Sequence, residues 1–288
     1  MSTAATTPAQ PPQTATHPAP PTTPAQHTTT ALGRLLAYTR RDFLRILRMV
    51  DSTFFVIVLP AALYLMFGAM SDWGSNTAGH GNVTAYTMSA MALYGAVLAT
   101  TSIAGSAAVE RQMGWGRQLS LTAFSARDYI VSKTLVAVSV AVLPTVLVLA
   151  LGAATGATYA DFWRWFATGA LIVLSAAPFA LYGLAAALVF RSEAAVSAAS
   201  GILVVLAFLG NLFVPLSGVM LDIGRFTPLF GASTLVRWPQ AEGAMASMGP
   251  GEPPVQLELW EPILNLGAWT VIFGVICLLA ARRRTSRA

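Results

Sequence analysis

Charged residues are scarce in this chain and are absent from six long stretches. Asp, Glu, Lys and Arg make up 10% of the 288 residues, whereas hydrophobic residues make up 55%. The charge-free stretches are 52–71, 83–109, 134–160, 165–190, 194–221 and 262–281. About 20 helical residues cross a hydrocarbon core about 30 Å thick, and each stretch reaches that length. The sequence therefore predicts an all-α, polytopic membrane protein with six transmembrane helices.

The groups that usually carry catalysis are also missing. The six stretches contain no histidine, so they lack the intramembrane proton relay or ion site of many secondary transporters. The pattern contains no zinc-binding constellation and no Ser-His-Asp candidate. The only lysine is Lys133. It does not belong to a Walker A loop, because that loop needs glycine at the positions that Arg127 and Ser132 occupy. We therefore expect no enzyme activity, cofactor or metal in this chain, and its single cysteine, Cys277, excludes an intrachain disulfide.

The basic residues that are present fall mostly on one side of the predicted membrane. If both termini are cytoplasmic, the inner segments hold 14 of the 17 cations, and only Arg164, Arg225 and Arg237 lie outside. This distribution follows the positive-inside rule. The sequence therefore predicts cytoplasmic N- and C-termini in the cell membrane. The net charge of +5 follows from this topology and needs no nucleic-acid partner.

Three regions follow from composition. Residues 1–30 contain seven prolines and ten threonines but no charged residue, which is typical of a disordered tail. Residues 31–50 combine apolar residues at helical spacing with five arginines, which predicts an amphipathic helix lying in the inner membrane interface among the lipid headgroups. That helix could be a simple anchor or could have a mechanical role. Residues 51–288 form the six-span domain.

The inner loop after the second predicted span has features of a docking segment. Glu110 and Arg111 lie together at the membrane exit, and Gly114 and Gly116 allow tight backbone turns before a short amphipathic stretch. Such a loop could contact a soluble partner, or it could be an ordinary solvated loop.

This loop resembles that of ABC-2 type exporter permeases, the group that includes daunorubicin-resistance-like multidrug exporters. The similarity lies in Glu110-Arg111, Gly114, Arg117 and Leu119, followed by Tyr129 to Lys133. Further similarities are Pro60 before Phe67-Gly68 and the stretches 213–218 and 226–229, so that the resemblance covers roughly residues 32–285. Gln112 and Trp115 depart from the pattern, as does the absence of a proline near Ala123 and Phe124.

The resemblance implies a mechanism with named residues. Glu110, Arg111, Gly114, Arg117 and Leu119 would form the coupling positions that press on a separate ABC ATPase subunit, which would bind ATP and magnesium. The segment 31–50 would be the connecting helix beside them, and a second permease copy, identical or different, would complete the transporter.

The resemblance also implies an outer element over residues 222–261 and a gate at the outer end of the fifth span. The apolar residues there are Phe208, Leu209, Leu212 and Phe213. An apolar constriction can close by excluding water, although Leu and Phe at helical spacing also serve as core or lipid-facing residues.

Two functional hypotheses remain open from the sequence. The first is the permease subunit of an ATP-driven exporter that moves an amphipathic drug-like or lipid-like substrate outward. The alternative is a non-transporting membrane sensor or assembly protein, which would need no ATPase partner. An intramembrane enzyme is disfavoured because the spans lack the catalytic ionisable groups of Asp, Glu, Lys, Arg and His.

Overall fold

The computed structural model describes residues 31–48, 50–110, 126–190, 192–245 and 255–282. The described chain is mostly helical, as predicted. Its helices are α1 (Ala31–Leu47), α2 (Val50–Tyr64), a π-helical turn (Leu65–Ala69), α3 (Val83–Glu110), α4 (Ala126–Ala154), α5 (Trp163–Phe190), α6 (Glu193–Leu209), α7 (Gly218–Gly224), α8 (Pro228–Ala241) and α9 (Trp260–Arg282). The predicted tail, 1–30, lies outside the described residues.

Four of these helices are long and apolar enough to cross a membrane. Their candidate spans are Val83–Ser106, Val131–Ala154, Trp163–Phe190 and Trp260–Ala280. Two shorter apolar helices, Phe54–Ala69 and Ala194–Leu209, lie within the first and fifth predicted spans. The described residues thus contain four candidate spanning helices, two fewer than the sequence predicts.

The fifth charge-free stretch differs from the prediction because its helix ends early. It contains no charge up to residue 221, but α6 ends at Leu209, and Asn211 adopts a left-handed backbone with φ of 58°. Asparagine tolerates this conformation better than most residues. Its side-chain Oδ1 also accepts a hydrogen bond from the Leu216 amide at 2.9 Å, which stabilises the turn. At about 1.5 Å per residue, the 17 residues of α6 measure about 25 Å.

Helix α3 lies at the centre of the bundle and packs against α2, α4, α5 and α6. Small buried residues on α3, such as Ala92, Ala96 and Ala99, allow neighbouring helices to approach closely. The Thr100 and Thr101 hydroxyls donate to carbonyls of α5 at 3.1 and 3.3 Å. By contrast, α9 exposes much of its apolar surface, which is compatible with a lipid environment.

Two short antiparallel hairpins mark one end of the bundle. The strands are β1 (Thr77–Ala78) with β2 (Gly81–Asn82), and β3 (Ala244–Met245) with β4 (Val255–Gln256). The Gln240 side chain on α8 donates to the carbonyls of Ala78 and Asn82, both at 2.9 Å, and so attaches the first hairpin to α8. We call this end, formed by the described residues of 70–82, 155–162 and 210–259, the hairpin end. The opposite end, which carries α1, is the α1 end.

Candidate functional site

A cavity of about 490 Å³ lies at the hairpin end, between α3, the turn that follows α6, and α8. Its lining is largely apolar and includes Leu212, Phe213 and Met245. Its exposed lining residues, Thr77, Gly79 and Ala244, belong to the two hairpins or to the turn of the first, so the cavity opens on that side. Ligand sites in proteins commonly have about 300–1,000 Å³, so this volume is sufficient for a small organic molecule.

Arg237 on α8 is the charged residue in the cavity wall. Its side chain is buried, with the residue only 6% exposed. Nη1 donates to the Asn211 carbonyl at 2.6 Å and Nη2 to the Leu212 carbonyl at 3.1 Å. Its guanidinium carbon lies 4.0 Å from the centroid of the Tyr86 ring, a cation–π distance. Burial lowers the pKa of Arg237 below its usual value, but a guanidinium remains protonated in proteins.

A second arginine fixes the hairpin end from outside the cavity. Arg164, near the start of α5, contacts Asp161 at 3.0 Å and donates to the Pro239 carbonyl on α8. Glu242, directly after α8, lies 3.9 Å from Arg164 and 3.0 Å from His80 in the first hairpin. These contacts join α5, α8 and the first hairpin, and they place two carboxylates, those of Asp161 and Glu242, within 4.0 Å of Arg164.

Two of the four predicted gate residues, Leu212 and Phe213, line the cavity, whereas Phe208 and Leu209 do not. Phe208 is 48% exposed on α6, Leu212 is buried, and Phe213 is half-buried in the cavity wall. The Phe213 ring contacts the rings of Phe208 and Tyr94, with centroids 5.1 and 5.0 Å apart. Leu209 is half-buried at the last position of α6. Their role as a gate between two copies stays a prediction.

At the α1 end, a buried ion pair joins α1 to α4. The Lys133 ammonium lies 2.7 Å from Oδ2 of Asp42, and both side chains are more than nine-tenths buried. Arg45, one turn after Asp42 on α1, contacts Oδ1 at 3.2 Å. The segment predicted to lie in the interface is helical over 31–47. The Asp42–Lys133 ion pair attaches it to a candidate membrane span.

The predicted coupling residues fall at the connection between α3 and α4. Glu110 is the last residue of α3, whereas Arg111, Gly114, Arg117 and Leu119 lie outside the described residues. Since α4 begins at Ala126, the connection leaves from and returns to the end of the bundle that carries α1.

Sequence reasoning assigned no role to Arg237 or to the Asp42–Lys133 pair. Arg237 appeared only as one of three outer cations, and its burial was not visible from composition. The available signal was a lone arginine in a segment, 228–241, with no other charged residue. Within the described residues, no group of three or more His, Cys, Asp or Glu side chains could hold a metal ion.

Comparison with protein families gives a match. A family model described as ABC-2 type transporter matches residues 34–229, which is more than half of the chain. The matched region begins within α1 and ends at the second residue of α8, so it includes the α3–α4 connection but not Arg237. Comparison with curated proteins found no match.

Proposed function

The chain belongs to the ABC-2 type transporter family and is a membrane permease of an ABC-type transporter, and from this premise we propose that it exports an amphipathic, drug-like or lipid-like substrate. The observation that carries the proposal is the family match over residues 34–229. The predicted spans contain no Asp, Glu, Lys, Arg or His, so an amphipathic cargo suits them better than an ion. In this proposal ATP is hydrolysed on a separate ATPase subunit, and a second permease copy completes the pathway.

The proposed topology has six spans with both termini cytoplasmic, so that the hairpin end faces outward. The distribution of cations supports this orientation. Helix α2 and the π-helical turn together provide 20 residues, 50–69, for the first span. Helix α6, at about 25 Å, is short for a bilayer and would need the following turn or local thinning to complete its crossing.

The proposed coupling uses both elements at the α1 end. The α3–α4 connection would receive the push of the closing ATPase through Glu110 and the residues after it. Helix α1 would move with this connection because Asp42 on α1 is paired to Lys133 on α4. The resulting shift of α3 and α4 would switch a cavity between two permease copies from inward to outward access.

Co-purification and transport measurements test this function. The full-length chain should co-purify with a soluble Walker-type ATPase, and the complex in proteoliposomes should move an amphipathic substrate in an ATP-dependent way. A membrane sensor without transport activity would show neither property.

Two substitutions test the coupling role. Glu110→Ala or Gly114→Pro should abolish substrate-stimulated ATP hydrolysis in the complex while membrane insertion stays normal. Ser75→Ala, an exposed change at the hairpin end, is the control and should leave coupling unchanged. Normal transport by both loop variants would remove the loop from the mechanism.

A further inference from the structure

Arg237 is a buried cation without a carboxylate partner among the described residues. No described Asp or Glu lies within 4.0 Å of its guanidinium nitrogens, and its Nε has no hydrogen-bond partner there. Its other two nitrogens donate to the neutral carbonyls of Asn211 and Leu212. A buried charge is unfavourable unless an opposite charge or a full set of hydrogen bonds compensates it.

The neighbouring groups supply only part of that compensation. The carboxyl end of α6 carries the negative end of a helix dipole, equivalent to about half a charge at most. The Tyr86 ring adds a weaker cation–π attraction. Neither accepts a hydrogen bond from Nε. The site therefore still favours an additional anion.

The cavity next to Arg237 has the shape and lining to supply this anion as part of a ligand. It has about 490 Å³, and Arg237 lines it together with the apolar residues Leu212, Phe213 and Met245. A small inorganic ion would leave most of this apolar surface uncovered. A molecule with one anionic group and an apolar part would match both features.

We propose that this cavity binds an anionic amphiphile, with its carboxylate or phosphate group at Arg237 and its apolar part against Leu212, Phe213 and Met245. Arginine suits this role because its planar donors match the oxygen atoms of carboxylate and phosphate groups. The ligand can be a bilayer lipid or a free amphiphile, which share this chemistry. The proposal goes beyond the transport function, because binding at this site requires neither the ATPase nor a transport cycle.

The test is equilibrium binding to the full-length chain in phosphatidylcholine nanodiscs. Radiolabelled dodecyl phosphate and dodecanoate serve as probes, dodecanol serves as the neutral analogue, and empty nanodiscs give the background. Wild type should bind both anions saturably and dodecanol at least about tenfold more weakly, since a hydrogen bond to a charged group contributes about 1.5–3 kcal/mol. Absence of saturable binding, or equal affinity for dodecanol, would overturn the proposal.

Arg237→Gln removes the charge but retains donors for the two backbone carbonyls. It should weaken binding of both anions about tenfold or more, whereas Arg237→Lys, which keeps the charge but loses the planar donors, should weaken binding less than Arg237→Gln does. Arg225→Gln is the matched control, because it removes one positive charge from the same end at a residue outside the cavity lining. Equal binding by Arg237→Gln and wild type would show that Arg237 does not hold the anion.

Two substitutions by phenylalanine, one at the cavity mouth and one outside the lining, keep the test decisive even if Arg237→Gln does not fold. Ala244→Phe places a ring at the cavity mouth and should abolish binding of both anions, whereas Ser75→Phe, at an exposed position outside the lining, should not. Unchanged affinity in Ala244→Phe would exclude the cavity. Nanodiscs that contain phosphatidylglycerol identify the source of the ligand: displacement of bound dodecyl phosphate supports a lipid ligand, and its retention supports a free amphiphile.

Discussion

The buried pair of Asp42 and Lys133 should contribute substantially to the attachment of α1. The perturbation is a double-mutant cycle with Asp42→Asn, Lys133→Met and the double variant. At a separation of 2.7 Å and an effective dielectric constant of about 20, Coulomb's law gives an attraction of about 6 kcal/mol. Desolvation of both groups offsets part of it, so we expect a coupling energy of about 2–4 kcal/mol.

The assay is reversible unfolding of each variant in mixed micelles, monitored by far-ultraviolet circular dichroism. Each single variant should lose about 3 kcal/mol of unfolding free energy, because it removes one charge of the buried pair and leaves the other in place. The double variant should lose less than the sum of the single losses. The cycle separates the Asp42–Lys133 interaction from the other contacts of either residue, including that of Asp42 with Arg45.

Additive losses in the cycle would refute this reasoning. A coupling energy near zero would mean that water screens the pair, as it does for exposed ion pairs, and that α1 is held by apolar contacts. The exposed Arg40→Gln variant on α1 is the control, and its unfolding free energy should stay within about 0.5 kcal/mol of wild type.

Two further predictions concern topology and the gate. The topology is tested with single cysteines in a Cys277→Ser background. Asn76→Cys should react with an impermeant thiol reagent added outside, whereas Ser120→Cys should react only when the reagent is inside. External labelling at position 120 would contradict the six-span topology. Truncation of Leu212 and Phe213 to alanine should raise basal ATP hydrolysis, since the closed gate loses apolar contacts. The number of ATP molecules hydrolysed per substrate molecule moved in proteoliposomes should therefore increase. A purely structural role for this pair would instead lower thermal stability and leave the ratio unchanged.

The bundle was predictable from the sequence because charge is so unfavourable in hydrocarbon that its absence identifies membrane segments. The same criterion does not detect where a helix ends inside such a segment. The turn after Leu209 depends on the left-handed backbone of Asn211 and on the Arg237 side chain, which donates to two carbonyls of that turn. This contact joins residues about 25 positions apart, beyond the reach of local periodicity.

The buried charges were hidden for a related reason. A count of cations assigns Lys133 and Arg237 to the two sides of the membrane but does not show which are removed from water. Lys133 is buried because α1 folds back onto α4, and Arg237 because α8 packs beneath the hairpins. Both burials are tertiary contacts, which sequence position alone does not reveal.

Helix α3 connects the two ends and gives the coupling proposal a physical route. Its 28 residues contain no proline and span about 42 Å, whereas α4 contains Pro144 and α5 contains Pro178, each of which removes one backbone hydrogen bond. Glu110 ends α3 at the α1 end, and Tyr86 lies near its start, against Arg237. A displacement of Glu110 by an ATPase would therefore reach Tyr86 along a proline-free helix that is mostly buried over 83–106, since packing against its neighbours leaves α3 little freedom to bend. If coupling follows this route, ATP binding by the partner should change the affinity of the Arg237 cavity for dodecyl phosphate, and Glu110→Ala should remove that change without altering the affinity measured in the absence of nucleotide.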